Sequence, residues 1–259
     1  MIDTHAHLDD ERFEGEREAV IQRFIDEGGK MIINPAADEQ SAKDAVLLSQ
    51  KYDIVYATVG VHPHDAKSLT DEIYNYIEEK GLNEEKVIGI GEIGLDYHYD
   101  HSPREVQKEG FDRQLSIASS LDLPVVIHSR EAHQDTYDML LKYKGRLKGV
   151  MHSYSGSPEM AKQYLDLGFY ISFSGPITFK NARKLPEVAK MVPYDRILTE
   201  TDSPYLTPTP FRGKRNEPSY VKFVTNKVAE YKEASPEKIN EWVEKNVKQL
   251  FFPREDIKL

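Results

Sequence analysis

The chain has 259 residues, 34 Lys and Arg against 44 Asp and Glu for a formal net charge of −10, 39% hydrophobic residues and no cysteine. The missing cysteine excludes disulfides, thiolate metal sites and a thiol nucleophile together, and leaves histidine and carboxylates as the available transition-metal ligands. The acidic balance excludes broad coating of duplex DNA, which needs a Lys/Arg surface to displace counterions.

Strand-like and helix-like segments alternate along the chain. Met1–His7 reads as a first strand, followed by helical patterning over Arg17–Glu27. Met31–Pro35 is followed by Ser41–Lys51, and Ile54–Val61 leads on to Val87–Gly94 and the helical segment Glu105–Ser119. Pro124–His128, Gly149–His152 and Tyr170–Ser174 precede helices at Ala132–Lys142, Pro158–Leu167 and Ala182–Met191, and Ile197–Asp202 is the eighth strand. These strands are rich in Ile and Val and nearly continuous in apolarity, as parallel strands covered on both faces must be. Eight of them alternating with helices predict a (β/α)8 TIM barrel, which typically takes about 250 residues.

An irregular stretch, Ser203 to Pro218, precedes two closing helices at Ser219–Tyr231 and Pro236–Leu250, the second docking through the face that carries Trp242. No Gly/Ser-rich linker marks a boundary, so the expectation is a single domain over 1–259 with helices at about 219–250 packed on the barrel. The start Met1-Ile2-Asp3-Thr4-His5 lacks a basic segment followed by an apolar one, and no run approaches the ~20 apolar residues of a bilayer span. This reads as a soluble, cytoplasmic protein with no membrane association and no obligate protein partner.

Histidines and carboxylates fall at the carboxyl ends of the predicted strands. His5 and His7 share a face of strand one, Glu92 closes strand four, His128 strand five, His152 strand six and Asp202 strand eight. In a barrel those ends meet on one face. Ionisable groups at the edge of a core cost free energy unless paired or liganded, so six together point to a metal site. Six nitrogen and oxygen ligands exceed one tetrahedral site and suit two divalent ions sharing a carboxylate, with Glu92 the natural bridge and Asp202 placed to take a proton from activated water. The donor set accommodates Zn, Mn, Mg, Ni, Co or Fe.

The motifs Asp3-Thr4-His5-Ala6-His7-Leu8-Asp9, Gly60-Val61-His62-Pro63, Gly91-Glu92-Ile93-Gly94-Leu95-Asp96-Tyr97, Pro124-Val125-Val126-Ile127-His128-Ser129-Arg130, His152-Ser153-Tyr154-Ser155-Gly156 and Glu200-Thr201-Asp202-Ser203-Pro204-Tyr205-Leu206 resemble, in order, those of the TatD-related deoxyribonucleases, within the amidohydrolase-like metal-dependent hydrolases. Ser153 departs from the cysteine that many relatives carry there. The resemblance implies a metal-dependent deoxyribonuclease, with His5, His7, Glu92 and Asp202 holding one ion and Glu92, His128 and His152 the other. An exonuclease acting on single-stranded or terminal DNA suits a pocket at one barrel face. The alternative is a hydrolase of another bond on the same site, a small-molecule amide or lactone or an aminoacyl-tRNA ester.

Around the ligands, His62 is set apart as a donor to a phosphate oxygen, and Arg130 shares strand parity with His128, where its planar fork suits a phosphate. Arg212, Lys214 and Arg215 form a cationic loop after strand eight, where such barrels often hold phosphate. Tyr97, Tyr154 and Tyr205 are candidates for base stacking, and His64, His101 and His133 read as solvent-facing. Asp3, deeper on strand one, is expected to hydrogen-bond behind the ligands.

Overall fold

Eight parallel strands run in chain order as a single sheet, β1 through β8, in a computed structural model that describes residues 1–253. The last six residues of the expected 1–259 domain lie outside the described residues. The strands are β1 (Ile2–Asp3), β2 (Met31–Pro35), β3 (Val55–Val59), β4 (Val87–Asp96), β5 (Val125–Arg130), β6 (Gly149–Met151), β7 (Tyr170–Phe173) and β8 (Ile197–Thr199). Between them lie α1 (Arg17–Asp26), α2 (Glu39–Lys51), α3 (Asp71–Asn83), α4 (Arg104–Leu121), α5 (His133–Leu141), α6 (Pro158–Asp166) and α7 (Leu185–Met191), and α8 (Val221–Lys232) and α9 (Pro236–Phe251) follow β8. Closure between β8 and β1 is made by short contacts: Thr4 N donates to the Thr199 carbonyl at 3.3 Å, Asp202 N to the His5 carbonyl at 2.8 Å, and Ala6 bridges Ser203.

Every residue of β2 and of β4 is buried, which explains their unbroken apolar reading. One apolar cluster fills the barrel and the helix layer, and a smaller one of Leu8, Phe13, Phe24, Ile32 and Val55 lies under α1. The closing helix α9 packs through Ile239, Val243, Val247 and Leu250, while Trp242 sits half-buried against Tyr194. No described helix is long and apolar enough to cross a membrane.

The structure corrects several boundaries. β1 and β8 end at Asp3 and Thr199, short of the histidines and Asp202, because the chain there bends inward and trades ladder bonds for the closing contacts. β4 runs on to Asp96, so Glu92 lies inside the strand at a register irregularity between Ile90 and Ile93. Gly94 permits this path: its φ is +146°, and a Cβ there would meet the His128 carbonyl oxygen at 1.9 Å. A helix absent from the sequence reading, α3, starts on a Thr70 side-chain cap to Ile73 N and buries Ile73, Tyr74 and Ile77.

Candidate metal centre

The six expected ligands converge, and Glu92 stands between them with one oxygen toward each side. Its Oε2 lies 3.2 Å from His5 Nε2 and 3.8 Å from His7 Nε2. Its Oε1 lies 2.9 Å from His128 Nδ1 and 3.6 Å from His152 Nε2. Asp202 Oδ1 is 3.6 Å from His5 Nε2, 3.5 Å from His7 Nε2 and 3.8 Å from His152 Nε2. The rings of His5 and His152 stack at 3.6 Å between centroids. Asp202 adopts φ +57°, a left-handed conformation that aspartate tolerates, just after its backbone bond to His5.

The site is deeply buried: His5 is 0% exposed, Glu92 3% and His152 7%. Burial alone pushes the Glu92 and Asp202 carboxyls up, but the surrounding imidazoles outweigh it, His152, His62 and His5 for Glu92, and His152, His7 and His5 for Asp202, so both are held below the usual carboxylate range. His5 is pulled down by burial and by His152. His7 and His152 are pushed up to about 9 and about 10, because nearby carboxylates overcome the burial that pulls them down.

This donor set fits divalent cations. Three groups have donor atoms within 4.8 Å of one another: His5, His7 and Asp202; His5, His152 and Glu200; and His62, Glu92 and His128. All the donors are nitrogen or oxygen, and no Lys or Arg among the described residues forms an ion pair with Glu92 or Asp202. Ionised buried carboxylates gathered with imidazole nitrogens are what a cation would satisfy.

Two residues with no role in the sequence reading complete the centre. Glu200, buried, places Oε1 2.7 Å from His152 Nδ1 while accepting from Ser153 N at 2.7 Å, and its Oε2 accepts from the Ser172 hydroxyl at 2.6 Å. Asp96 Oδ2 lies 3.0 Å from His128 Nε2 and 3.1 Å from His64 Nε2, and its Oδ1 accepts from the amides of His98 and Tyr99. Each carboxylate therefore grips the ring nitrogen that its histidine turns away from Glu92, an arrangement that fixes tautomer and orientation. A signal existed for Glu200, which shares strand parity with Asp202. Asp96 was concealed by the assumption that β4 stops at Gly94. Asp3 lies behind the centre, accepting from His5 N, Thr201 N and the Thr201 hydroxyl.

His62, expected beside the six ligands as a donor to a phosphate oxygen, lies against them. Its Nε2 lies 3.6 Å from Glu92 Oε1 and its ring 4.4 Å from that of His128. The reason is local: Pro63 starts a short 3-10 helix, His62 caps it by accepting the His64 amide on Nδ1 at 3.2 Å, and the opposite edge of the ring is left facing inward. With Nδ1 an acceptor, the proton sits on Nε2. Burial and the neighbouring His128 hold the ring well below its ordinary value, so His62 is a neutral donor aimed into the centre.

β5 does extend to Arg130, whose guanidinium lies over Tyr99 at 4.8 Å and has no carboxylate partner among the described residues. Arg212 is exposed over Phe179 at 4.2 Å, and Lys214 is exposed near Phe211. Arg215 differs from both: it donates to the Arg12 carbonyl at 2.7 Å and pairs with Glu16 at 2.9 Å. Tyr154 is buried and donates to the Ser157 carbonyl, Tyr97 is half-buried and donates to Asp135, and Tyr205 alone of the three is largely exposed, edge-on to His7 at 5.9 Å. His101 is exposed, whereas His64 joins Asp96 and His133 is half-buried beside the Ser129 hydroxyl.

The family described as TatD related DNase matches residues 2–252. The uncharacterized metal-dependent hydrolase YabD of Bacillus subtilis is 46% identical over 253 residues, covering 97% of this chain and 98% of that protein. Among solved structures, the TatD homologue YjjV of Escherichia coli K12 superposes with a TM-score of 0.92 at 32% identity, over 97% of both chains. A TatD-family hydrolase of Entamoeba histolytica superposes with a TM-score of 0.85 at 27% identity, over 98% of both. With a match across its whole barrel and a metal-ligand set converging at the strand ends, this chain belongs to the TatD-related family of metal-dependent hydrolases.

Proposed function

We propose that this enzyme is a deoxyribonuclease that removes nucleotides from a single-stranded or terminal DNA segment, acting as a single domain with two divalent ions. The observation that carries the reading is Glu92 facing His5 and His7 through one oxygen and His128 and His152 through the other. A carboxylate so flanked could serve an ion on each side, and paired ions suit displacement at phosphorus. His5, His7, Glu92 and Asp202 would hold one ion, and Glu92, His128 and His152 the other. When bound, the ions supply Lewis acidity and an activated water.

The protein groups then have separate tasks. Asp202, ionised, accepts the proton of the attacking water. His62, neutral with its proton on Nε2, donates to a phosphoryl oxygen and stabilises the charge that develops there. Glu200 and Asp96 keep His152 and His128 in the tautomers that turn lone pairs inward. Arg130 takes a phosphate beside His128 as a bidentate fork, and Arg212 and Lys214 grip the strand further out. Arg215 holds that loop to the α1 side through Glu16.

The test is incubation of the metal-loaded protein with end-labelled single-stranded DNA, RNA and model amide and ester substrates. Release of mononucleotides from one end of the DNA is expected. Turnover of an amide, lactone or aminoacyl ester with none of DNA would overturn the assignment.

A further inference from the structure

The loops after β7 and β8 form one ridge. Gly175 presses on the Leu206 backbone so closely that a Cβ would meet the Leu206 carbonyl oxygen at 1.7 Å. Thr209 N donates to the Thr178 hydroxyl at 2.9 Å, and Arg212 lies over the Phe179 ring at 4.2 Å. The ridge starts beside the metal centre, since Leu206 is four residues past Asp202, and Ser174 joins Ser153, the neighbour of His152, through their hydroxyls at 2.6 Å.

Its exposed side is cationic in a protein of net charge −10. The β7 loop carries Lys180, Arg183 and Lys184, all exposed, and the β8 loop adds Arg212 and Lys214. None of the five makes an ion pair with a described carboxylate, whereas Arg104 pairs with Asp100 and Arg113 with Asp71. Aromatic rings lie under two of the cations, Phe179 under Arg212 and Phe211 near Lys214.

We propose that Lys180, Arg183 and Lys184, together with Arg212 and Lys214, form a binding track for the sugar-phosphate backbone of a single strand whose end enters the metal centre. The proposal rests on the nuclease reading and extends it to a segment, Lys180–Lys184, that has no part in the chemistry. Cations left without carboxylate partners retain their full charge for phosphates, and their tether to a ridge fixed by backbone contacts reduces the ordering needed on binding. The locally reversed charge lets an acidic protein attract an acidic polymer at this ridge.

The experiment is fluorescence anisotropy of the metal-loaded protein with a phosphorothioate-linked oligodeoxythymidylate, from 50 to 200 mM salt, for wild type, Lys180→Ala/Arg183→Ala/Lys184→Ala and the charge-keeping Lys180→Arg/Arg183→Lys/Lys184→Arg. Each lost contact to a single strand lowers the slope of log K against log salt by about 0.7, so the alanine variant should lose about 2 units of slope and bind about tenfold or more weakly at 50 mM salt. Metal content and thermal midpoint should hold, and the charge-keeping variant should keep the wild-type slope. If wild type binds this oligonucleotide and cuts its unmodified phosphodiester counterpart but the alanine variant keeps both slope and affinity, the track is refuted and the nuclease reading stands. Weaker binding with an unchanged slope refutes it as well, since the loss would not be one of charge. If wild type neither binds this oligonucleotide nor cuts its unmodified phosphodiester counterpart, both readings fall, and capture of phosphatidylglycerol vesicles instead would assign the strip to a lipid surface.

Discussion

The two outer carboxylates predict a graded loss of metal affinity on one side of the centre. In Asp96→Asn the Oδ1 position can still accept the amides of His98 and Tyr99, which places the new NH2 against His128 Nε2 and His64 Nε2, now 3.0 and 3.1 Å from Oδ2. A donor there forces the His128 proton from Nε2 to Nδ1, the nitrogen that faces Glu92 at 2.9 Å, and removes the lone pair an ion would use. Glu200→Gln is milder. The amide oxygen stays on Ser153 N and His152 Nδ1, the NH2 meets the Ser172 hydroxyl, which can accept, and only the negative charge is lost. Removing such partners costs about 10- to 100-fold in metal affinity. We therefore place Asp96→Asn near 100-fold, about 2.7 kcal/mol, and Glu200→Gln near tenfold, about 1.4 kcal/mol, on the ion that Glu92, His128 and His152 would hold in the proposed two-ion arrangement. An ion at His5, His7 and Asp202 would be held within about threefold of wild type. Competition against a chromophoric chelator resolves the two affinities, and circular dichroism with thermal melts confirms the fold. Unchanged affinity in Asp96→Asn, the reverse order of effects, or equal weakening of both ions would refute the tautomer argument.

Three further outcomes follow from the same geometry. Glu92→Gln should lower occupancy at both positions, to well under two ions per chain by elemental analysis, because a bridge serves both; full stoichiometry would remove the bridging role. Asp202→Asn, reconstituted at high metal concentration, should lower kcat about 100-fold or more while changing oligonucleotide Kd little, and wild-type turnover with full metal would exclude Asp202 as the proton acceptor. In the metal-free protein, burial pulls His7 and His152 down, but Asp202, Glu92 and, for His152, Glu200 overcome it, holding them at about 9 and about 10. A folded-state value above the unfolded ~6.5 stabilises fully below that pH and is lost as pH climbs through 9 and 10. The thermal midpoint of the metal-free protein should therefore fall between pH 7 and 10, and a flat profile would contradict the charged-imidazole reading.

What the sequence disclosed and what it hid separate along a physical line. The converging histidines and carboxylates were legible because an imidazole or carboxylate at the end of an Ile/Val run is costly without a partner, so His128 after Val126-Ile127 and His152 after Val150-Met151 carry their own signal. Convergence followed from the barrel, which brings every strand end to one face whatever the details of each strand. The reading failed where the local path departs from an ideal strand. Taking β4 to end at Gly94 hid Asp96, and only three-dimensional contact shows that Gly94 lets β4 pass close against His128. Helix α3 was lost because Glu78-Glu79-Lys80-Gly81 and Asn83-Glu84-Glu85 dilute an apolar face carried by Ile73, Tyr74 and Ile77 alone.

Surface charge was the least legible feature, because pairing is a property of the fold. Arg212, Lys214 and Arg215 are adjacent in sequence and equivalent by composition, yet Arg215 reaches back across the closing of the barrel to Glu16 and the Arg12 carbonyl, while its neighbours face solvent. Lys180, Arg183 and Lys184 lie some thirty residues earlier, and nothing in their own segment sets them apart from a solvated charge run. Their significance comes from the contact of two loops, Gly175 on Leu206 and Thr178 on Thr209, which sets one set of unpaired cations beside the other. Selection for a shared polyanion would act on the combined field of the ridge and not on any one side chain. A cationic surface of this kind can therefore be assembled in an acidic protein from two loops of which only the second, Arg212 to Arg215, shows itself in the sequence.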